Sequence, residues 1–412
     1  MVTIKAPRGT FDVLPQAARR RLRLLRIADE VLGRAGYEPF ETPIFEDTEL
    51  FARGVGESTD IVQKEMFTFE DKAGRSLTLR PEATAAICRA YVEHGMHKLP
   101  QPVKLWTWGP FFRHEAPQAG RFRQFTQLDV ESLGSDDPSV DAELILLLAE
   151  FLERAGAGEI SLRLSSLGTP ETRSLYIEEL RTYLREHEAE LSEDVRARLE
   201  QNPLRAFDAD HPGTKAVLKS APRLLDRLSP EDAEHLAEVR ELLDDAGLAY
   251  ELDSSLVRGL DYYTRTVFEF ESPRLGAQSA LGGGGRYDLL VEELGGPRTP
   301  ANGWAAGIER ILLAAAEDEA AEDSRVYVAL AKPDAAREGL RLARRLRAEG
   351  FRVEMEQAGR SLRGQLRQAD RIGARWTVIV GDGIDVKDMD SGAQRRAADA
   401  EEALALVRAA GA

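Results

Sequence analysis

The chain has 412 residues, 43% hydrophobic and 31% charged, an ordinary globular balance that excludes a wholly disordered or fibrous polymer and, by length, suggests two or three domains. Its one cysteine, Cys88, rules out an intrachain disulfide or a cysteine-built metal cluster. With no apolar run near the roughly 20 residues of a membrane span and no signal-peptide core, a cytoplasmic protein with no membrane partner is expected. The net charge of −16 argues against broad nucleic-acid binding, but it is uneven: residues 325–412 carry +4 and the rest −20, so a polyanion partner is expected only for the C-terminal piece.

In chain order, Pro15 suits the first turn of a helix, and Leu22, Leu25, Leu32 and Ala35 recur at helical spacing up to a stop at Gly36. Residues 76–80 alternate as a strand, Pro81 opens a helix through Ala90, and residues 103–108 read as a strand ending at Gly109-Pro110. After a Gly- and Arg-rich loop, residues 125–131 alternate again. With no helix-length segment between them, these two strands are expected to pair antiparallel. Pro138 opens a helix to about Arg154, and residues 170–247, rich in Glu, Leu and Arg, read as a helical insertion. Strand character returns at 267–271, followed by the glycines 282–285 and a helix over 307–317. The acidic, Ala-rich stretch 314–324 is the expected linker. Beyond it 326–331, 334–349, 351–355, 362–373 and 376–380 alternate strand and helix, the pattern of parallel βαβ units. Arg363, Arg367, Arg371 and Arg375, every four residues, predict one basic stripe on the second of these helices.

Four segments concentrate polar residues suited to chemistry. Glu82 and Thr84 could accept hydrogen bonds from a ligand ammonium, or could serve a helix N-terminus with Thr84 merely solvated. Arg113, Arg121 and Arg123 supply forked donors matched to phosphate, and Phe125 could stack on a nucleobase; a solvated hairpin loop would carry the same residues. His114 could be a base, but a lone His between charged residues reads as structural. Tyr262 and Tyr263, if in a strand, would point to opposite faces, so that at most one lines a given pocket unless the strand bulges. Glycines 282–285 permit close backbone approach to a ligand and Arg310 could pair with phosphate, but no Lys-Ser or Lys-Thr follows, so this is no P-loop.

In order, Arg8-Gly9-Thr10, Arg80-Pro81-Glu82, Phe112-Arg113-His114-Glu115, Arg258-Gly259-Leu260-Asp261-Tyr262-Tyr263, Gly307-Ile308-Glu309-Arg310 and Gly359-Arg360-Ser361-Leu362 resemble the motifs of the histidyl-tRNA synthetase family, over almost the whole chain. The hexapeptide from Arg258 is the most specific; the Arg113 and Arg310 motifs are shared by class II aminoacyl-tRNA synthetases generally. The resemblance implies an α+β fold: an antiparallel-sheet class II core over residues 1–320 with the helical insertion at about 170–247, plus an α/β anticodon-binding domain at 325–412, in a homodimer. It implies ATP-dependent activation of L-histidine to histidyl-adenylate, with Mg2+ assisting, and transfer to the 3′ end of tRNA(His). It leaves metal ligands unassigned.

Carried over position by position, Arg113 would grip the α-phosphate and Arg310 the γ-phosphate, while Glu115 would read the adenine edge and Phe125 would stack on its ring. Glu82, Thr84 and Gln127 would hold the substrate ammonium. Glu131 and Tyr263 would hydrogen-bond the imidazole, with Tyr262 in the same histidine-binding set. Arg258 would bridge the carboxylate and the α-phosphate. Gln118, Arg121 and Arg123 would lie near the tRNA acceptor end. Ala83 departs from the glycine expected at its position and would crowd the amino-acid site slightly. The alternatives are the catalytically inactive paralogue that serves as regulatory subunit of ATP phosphoribosyltransferase, which lacks the anticodon-binding domain and the Arg258 motif, and a tRNA- or ribosome-binding module without chemistry, which would not need three phosphate grips.

Overall fold

In a computed structural model, which describes residues 4–56, 59–118, 120–200, 202–256, 260–276, 279–316 and 325–409, Pro15 opens α1 (Pro15–Arg34), where its missing N–H costs nothing. The buried stripe of α1 is Leu24, Ile27, Ala28, Val31 and Leu32. Leu22 is exposed and Leu25 only half-buried, which corrects the phase expected from the sequence. The face built on Leu22 continues through Arg26 and Asp29, which cannot enter a core, whereas the Leu24 face is apolar throughout. Chain contacts divide the molecule into two compact units, Met1–Ala316 and Glu317–Ala412.

In the first unit, β1 (Glu38–Pro39) precedes a three-stranded antiparallel sheet of β2 (Phe45–Asp47), β3 (Phe67–Glu70) and β4 (Ser76–Leu79), in spatial order β2-β4-β3. α2 (Thr48–Val55) lies between β2 and β3 in the chain. α3 (Thr84–Glu93) starts later than the expected opening at Pro81. The Glu82 carboxylate accepts the N–H groups of Thr84 (2.8 Å) and Ala85 (3.0 Å), so the residue expected inside the helix caps it instead.

β5 (Val103–Phe112) and β6 (Gln124–Leu133) pair antiparallel as expected, with Val103 opposite Leu133 and Phe112 opposite Gln124. β5 runs through Gly109-Pro110 rather than ending there. The Pro110 carbonyl accepts from Arg80 Nε at 3.0 Å, on the side away from β6. The absent N–H points the same way, so no ladder bond to β6 is lost.

α4 (Pro138–Arg154), β7 (Ser161–Ser166), α5 (Pro170–Glu186), α6 (Glu193–Arg198), α7 (Pro212–Leu218) and α8 (Pro230–Asp245) follow. Prolines open α5, α7 and α8, and the side chains of Thr169, Ser192, His211 and Ser229 cap the four helices from α5 to α8. The segment is helical as read, but it packs in two directions. Tyr176, Leu180, Val195 and Val217 share one cluster, while Leu236, Val239 and Leu243 of α8 join Leu144 and Leu148 of α4 in the main core.

β8 (Glu251–Leu252), β9 (Thr264–Glu271), β10 (Ala280–Arg286), α9 (Leu290–Glu293), β11 (Ala301–Gly307) and α10 (Ile308–Ala314) complete the unit. Eight strands form one mostly antiparallel sheet in the order β1-β5-β6-β11-β10-β9-β7-β8. The glycine run is the interior of β10, between β9 and β11; a Cβ at Gly284 would overlap the backbone of Gly303 and Trp304. α10 ends at Ala314, short of the expected 317. One face of the sheet is covered by α1, α4, α8 and α10; on the other lie α3, Tyr262, Tyr263 and Tyr287. Behind the sheet, buried Asp141 takes Arg286 Nε (2.8 Å), Asn302 Nδ2 (2.6 Å) and His235 Nε2 (2.7 Å), tying α4, α8, β10 and β11 together. Burial alone would raise this carboxyl; the charge of Arg286 and the contact with His235 overcome it and hold it below its ordinary range.

In the second unit, β12 (Arg325–Leu330), α11 (Ala336–Ala348), β13 (Arg352–Met355), α12 (Leu362–Arg371) and β14 (Trp376–Val380) form the expected parallel βαβ units. β15 (Ile384–Asp388), β16 (Gln394–Ala397) and α13 (Ala400–Ala409), which the sequence reading left out, extend the sheet antiparallel, in the order β13-β12-β14-β15-β16. Arg363, Arg367 and Arg371 are exposed on α12. Arg375 is not part of that stripe: α12 ends at Arg371, and Arg375 lies over the Trp376 ring (5.3 Å) and pairs with Asp388 (3.3 Å). No described helix is long and apolar enough to cross a membrane.

Candidate active site

β6 alternates, so Gln127, Asp129 and Glu131 all face the side of the sheet opposite the Leu128–Val130 core. Gln127 and Asp129 form the floor of a cleft of about 260 Å³, and Glu131 lies beneath it. Its walls come from the junction after β4 (Glu82, Thr84), the β5–β6 loop (Arg113, Glu115, Arg121), the segment before β9 (Leu260, Tyr262, Tyr263), β10 and β11, and the start of α10 (Arg310). Tyr262 and Tyr263 precede β9 rather than lying in it, so both line the cleft, with ring centroids 4.8 Å apart; the strand-based expectation of opposite faces does not apply.

One end of the cleft is acidic and phenolic. Glu131 is buried, accepting a hydrogen bond from Thr84 Oγ1 (2.6 Å) and another from the Tyr287 hydroxyl. Thr84 is therefore an internal donor rather than a solvated residue. Burial first, and then the charge of Glu82, push the Glu131 carboxyl up to about 8 against the opposing hydrogen bonds from Thr84 and Tyr287. Burial likewise raises Glu82, and lifts Asp129 well above its ordinary range with help from Glu131 and Glu82. Gly303, opposite Glu131 on β11, leaves room for that carboxylate, which a Cβ there would overlap.

The other end is cationic. Arg113 donates from Nε to the Pro81 carbonyl (2.9 Å), and its guanidinium lies 5.4 Å from the Phe125 ring centre. Arg310 donates to the carbonyls of Ala280 (2.8 Å) and Gly120 (3.3 Å). Burial lowers its pKa, and the nearby charges of Arg121 and Arg113 lower it further. Arg121 pairs with Glu115 at 3.2 Å. Such an arrangement can hold a zwitterionic small molecule at one end and a polyphosphate at the other.

The family model described as Histidyl-tRNA synthetase matches residues 9–311, and the one described as Anticodon binding domain matches residues 325–409. The Histidine--tRNA ligase of Rubrobacter xylanophilus is 50% identical, with 98% of this chain and 99% of that protein covered. The chain belongs to the histidyl-tRNA synthetase family. The crystal structure of the apo S. aureus histidyl-tRNA synthetase superposes with a TM-score of 0.80 at 36% identity, covering 99% of both chains. A structure from Bacillus halodurans C, titled an ATP phosphoribosyltransferase regulatory subunit/histidyl-tRNA synthetase, shares the fold at 24% identity, with a TM-score of 0.65 and coverage of 87% of this chain and 94% of that one. The fold is accordingly that of a class II synthetase, with a large antiparallel-dominated sheet and a separate C-terminal anticodon-binding domain.

Of the residues this histidyl-tRNA synthetase family member was expected to use, Glu82, Thr84, Arg113, Glu115, Arg121, Phe125, Gln127, Tyr262, Tyr263 and Arg310 line the one cleft, and Glu131 lies beneath them. Gln118 is exposed in the loop, where its backbone pairs with that of Arg121. Arg123 is half-buried outside the cleft, its side chain packed on Gly9 and its N–H bonded to the Gly9 carbonyl at 2.7 Å, so the Arg8-Gly9-Thr10 motif braces the loop. His114 bonds through its backbone to Glu65 (2.7 Å) and sets its ring against Phe67, a structural role as read. Arg258 lies outside the described residues. Ala83 is fully buried against Ile87 and its neighbours on α3. The sequence reading assigned nothing to Asp129, Glu269 or Tyr287; the alternation of β6 from Phe125 onward was the signal for Asp129.

Proposed function

We propose that the chain is a histidine–tRNA ligase, activating L-histidine with ATP to histidyl-adenylate and passing the histidyl group to the 3′ end of tRNA(His). The observation that carries this reading is one cleft with carboxylates and tyrosines at one end and three arginines at the other. Attack of an α-carboxylate oxygen on the α-phosphorus brings two anions together, so fixed cations at that point are the main requirement; pyrophosphate leaves and no proton need move. Arg113 would hold the α-phosphate and Arg310 the γ-phosphate, Phe125 would stack on adenine, and Glu115 would accept from its exocyclic amine. Glu82, Thr84 and Gln127 would receive the ammonium, and Glu131, Tyr262 and Tyr263 the imidazole. Arg258, next in the chain to a segment that lines the cleft, would bridge carboxylate and α-phosphate. The adenylate is then attacked by a terminal ribose hydroxyl, with Gln118, Arg121 and Arg123 on the loop nearest the acceptor end.

Among the described residues no three or more His, Cys, Asp or Glu gather as metal ligands. Mg2+ bound through ATP phosphates needs only one or two carboxylates, and Glu269, in the cleft near Arg310, suits that role. The ion would neutralise charge on the leaving pyrophosphate. Residues 1–320 would carry this chemistry and 325–412 would read the anticodon, in a cytoplasmic homodimer. A pure binding module or the regulatory paralogue would leave the arginine set and the 258–263 motif without purpose. Histidine-dependent exchange of pyrophosphate into ATP tests the reading: exchange stimulated by L-histidine alone supports it, and its absence in the full-length, folded protein refutes it.

A further inference from the structure

The acidic end of the cleft holds one carboxylate that the assignments above leave unused. Glu82 already accepts two backbone N–H groups, and Glu131 already accepts from Thr84 and Tyr287. Asp129 is different. Its side chain is 1% exposed, it shares the β6 face with Gln127 and Glu131, and its Oδ2 has no hydrogen-bond partner among the described residues. The Gln127 Oε1, two residues away on the same face, is buried and unpartnered as well. Buried acceptors of this kind are costly to leave unpaired, so two side by side on a cleft floor point to a donor brought by the ligand.

We propose that Asp129 is a second charged partner of the substrate's α-ammonium, beside Glu82 and next to the Gln127 acceptor. Asp129 thus helps to select a free α-amino acid over des-amino analogues. The proposal rests on reading the cleft as a histidine-activating site. An ammonium offers three N–H donors and a full positive charge. Each Glu82 oxygen accepts one backbone N–H at the start of α3 and keeps a lone pair for the ammonium. Asp129 can face the ammonium directly. Burial and the neighbouring Glu131 and Glu82 push the Asp129 carboxyl well up, against Arg80 and Arg113. An arriving cation reverses that balance and makes the ionised form the favourable one. The competing explanation is that Asp129 merely offsets the buried charge of Arg80, whose guanidinium is occupied by Thr42 and the Pro110 carbonyl.

Calorimetry with three probes separates these. L-histidine carries both ammonium and carboxylate, histamine only the ammonium, and imidazolepropionate only the carboxylate. Asp129→Asn should weaken L-histidine and histamine by about 10- to 100-fold and leave imidazolepropionate unchanged. Asp129→Ser, which leaves space for water, serves as a second variant with the same expected pattern should the first fold poorly. Equal loss for all three probes would mean a structural role, and loss for none would mean a passive counter-charge; either overturns the proposal. Wild-type protein that binds histidine while the variants behave as wild type refutes Asp129 alone, whereas wild-type protein that does not bind histidine refutes the underlying reading.

Discussion

Replacing Glu131 with Gln should raise stability and lower activity together, because the buried carboxyl costs the fold and is proposed to bind the imidazole. This group is pushed from its ordinary 4.5 to about 8, by burial first and by Glu82 next. The folded chain therefore holds this proton more tightly than the unfolded chain. Its contribution to stability is fully present below about pH 4.5, falls as pH rises, and is gone by about pH 8. At pH 7 the difference amounts to roughly 3 kcal/mol at most, since each pKa unit is worth about 1.4 kcal/mol. Gln has the shape of the neutral acid and can still pair with the hydroxyls of Thr84 and Tyr287. Urea unfolding at pH 5 and pH 7.5 should show the variant gaining on wild type as pH rises. The same variant should raise the KM for histidine by about 10- to 150-fold with the KM for ATP unchanged, the range expected for one buried bond to a polar partner. A pH-independent stability difference, or an unchanged histidine KM and kcat, would refute the reasoning.

Arg258→Ala should fold normally yet lose at least about a hundredfold in adenylate formation and less in transfer from preformed adenylate; Arg258→Lys should recover only part, having no fork for two anions, as a single-turnover assay would reveal. Gly303→Ala would drive a methyl into the Glu131 carboxylate and to within 2.6 Å of the Val130 carbonyl. It should cost about 1–3 kcal/mol of stability and most of the histidine affinity, and wild-type histidine binding by calorimetry would contradict this. Deleting residues 325–412 should abolish efficient tRNA charging while adenylate formation partly survives; normal charging by the truncated, folded chain would refute that division of labour.

The parts of the fold legible in the sequence are those whose pattern is local. β5 and β6 alternate, α4 opens on Pro138, and β12 to β14 follow a regular strand–helix rhythm. β10 was illegible as a strand because four glycines have no faces to alternate; its identity comes from pairing with β9 and β11 on both sides. β1 and β8, two residues each, exist only through their neighbours β5 and β7. In the cleft, motifs pointed to residues that the fold brings together, but not to how those side chains pair with one another. The Glu82 cap of α3 is local and was one of its two sequence readings, whereas the contacts of Thr84 and Tyr287 with Glu131 are tertiary, across 47 and 156 positions of sequence. The resemblance put Tyr262 and Tyr263 in one pocket where strand alternation would have separated them; the start of β9 at Thr264 reconciles the two.

The central claim is that one cleft joins histidine to ATP and then to tRNA. A two-stage single-turnover experiment on the full chain tests it most directly: enzyme, radiolabelled L-histidine and Mg2+–ATP first, then tRNA(His). Histidyl-adenylate should accumulate on the enzyme in the first stage and move to the tRNA 3′ end in the second, with no adenylate formed from other amino acids. A folded protein that binds tRNA(His) but forms no adenylate from histidine and ATP would contradict it.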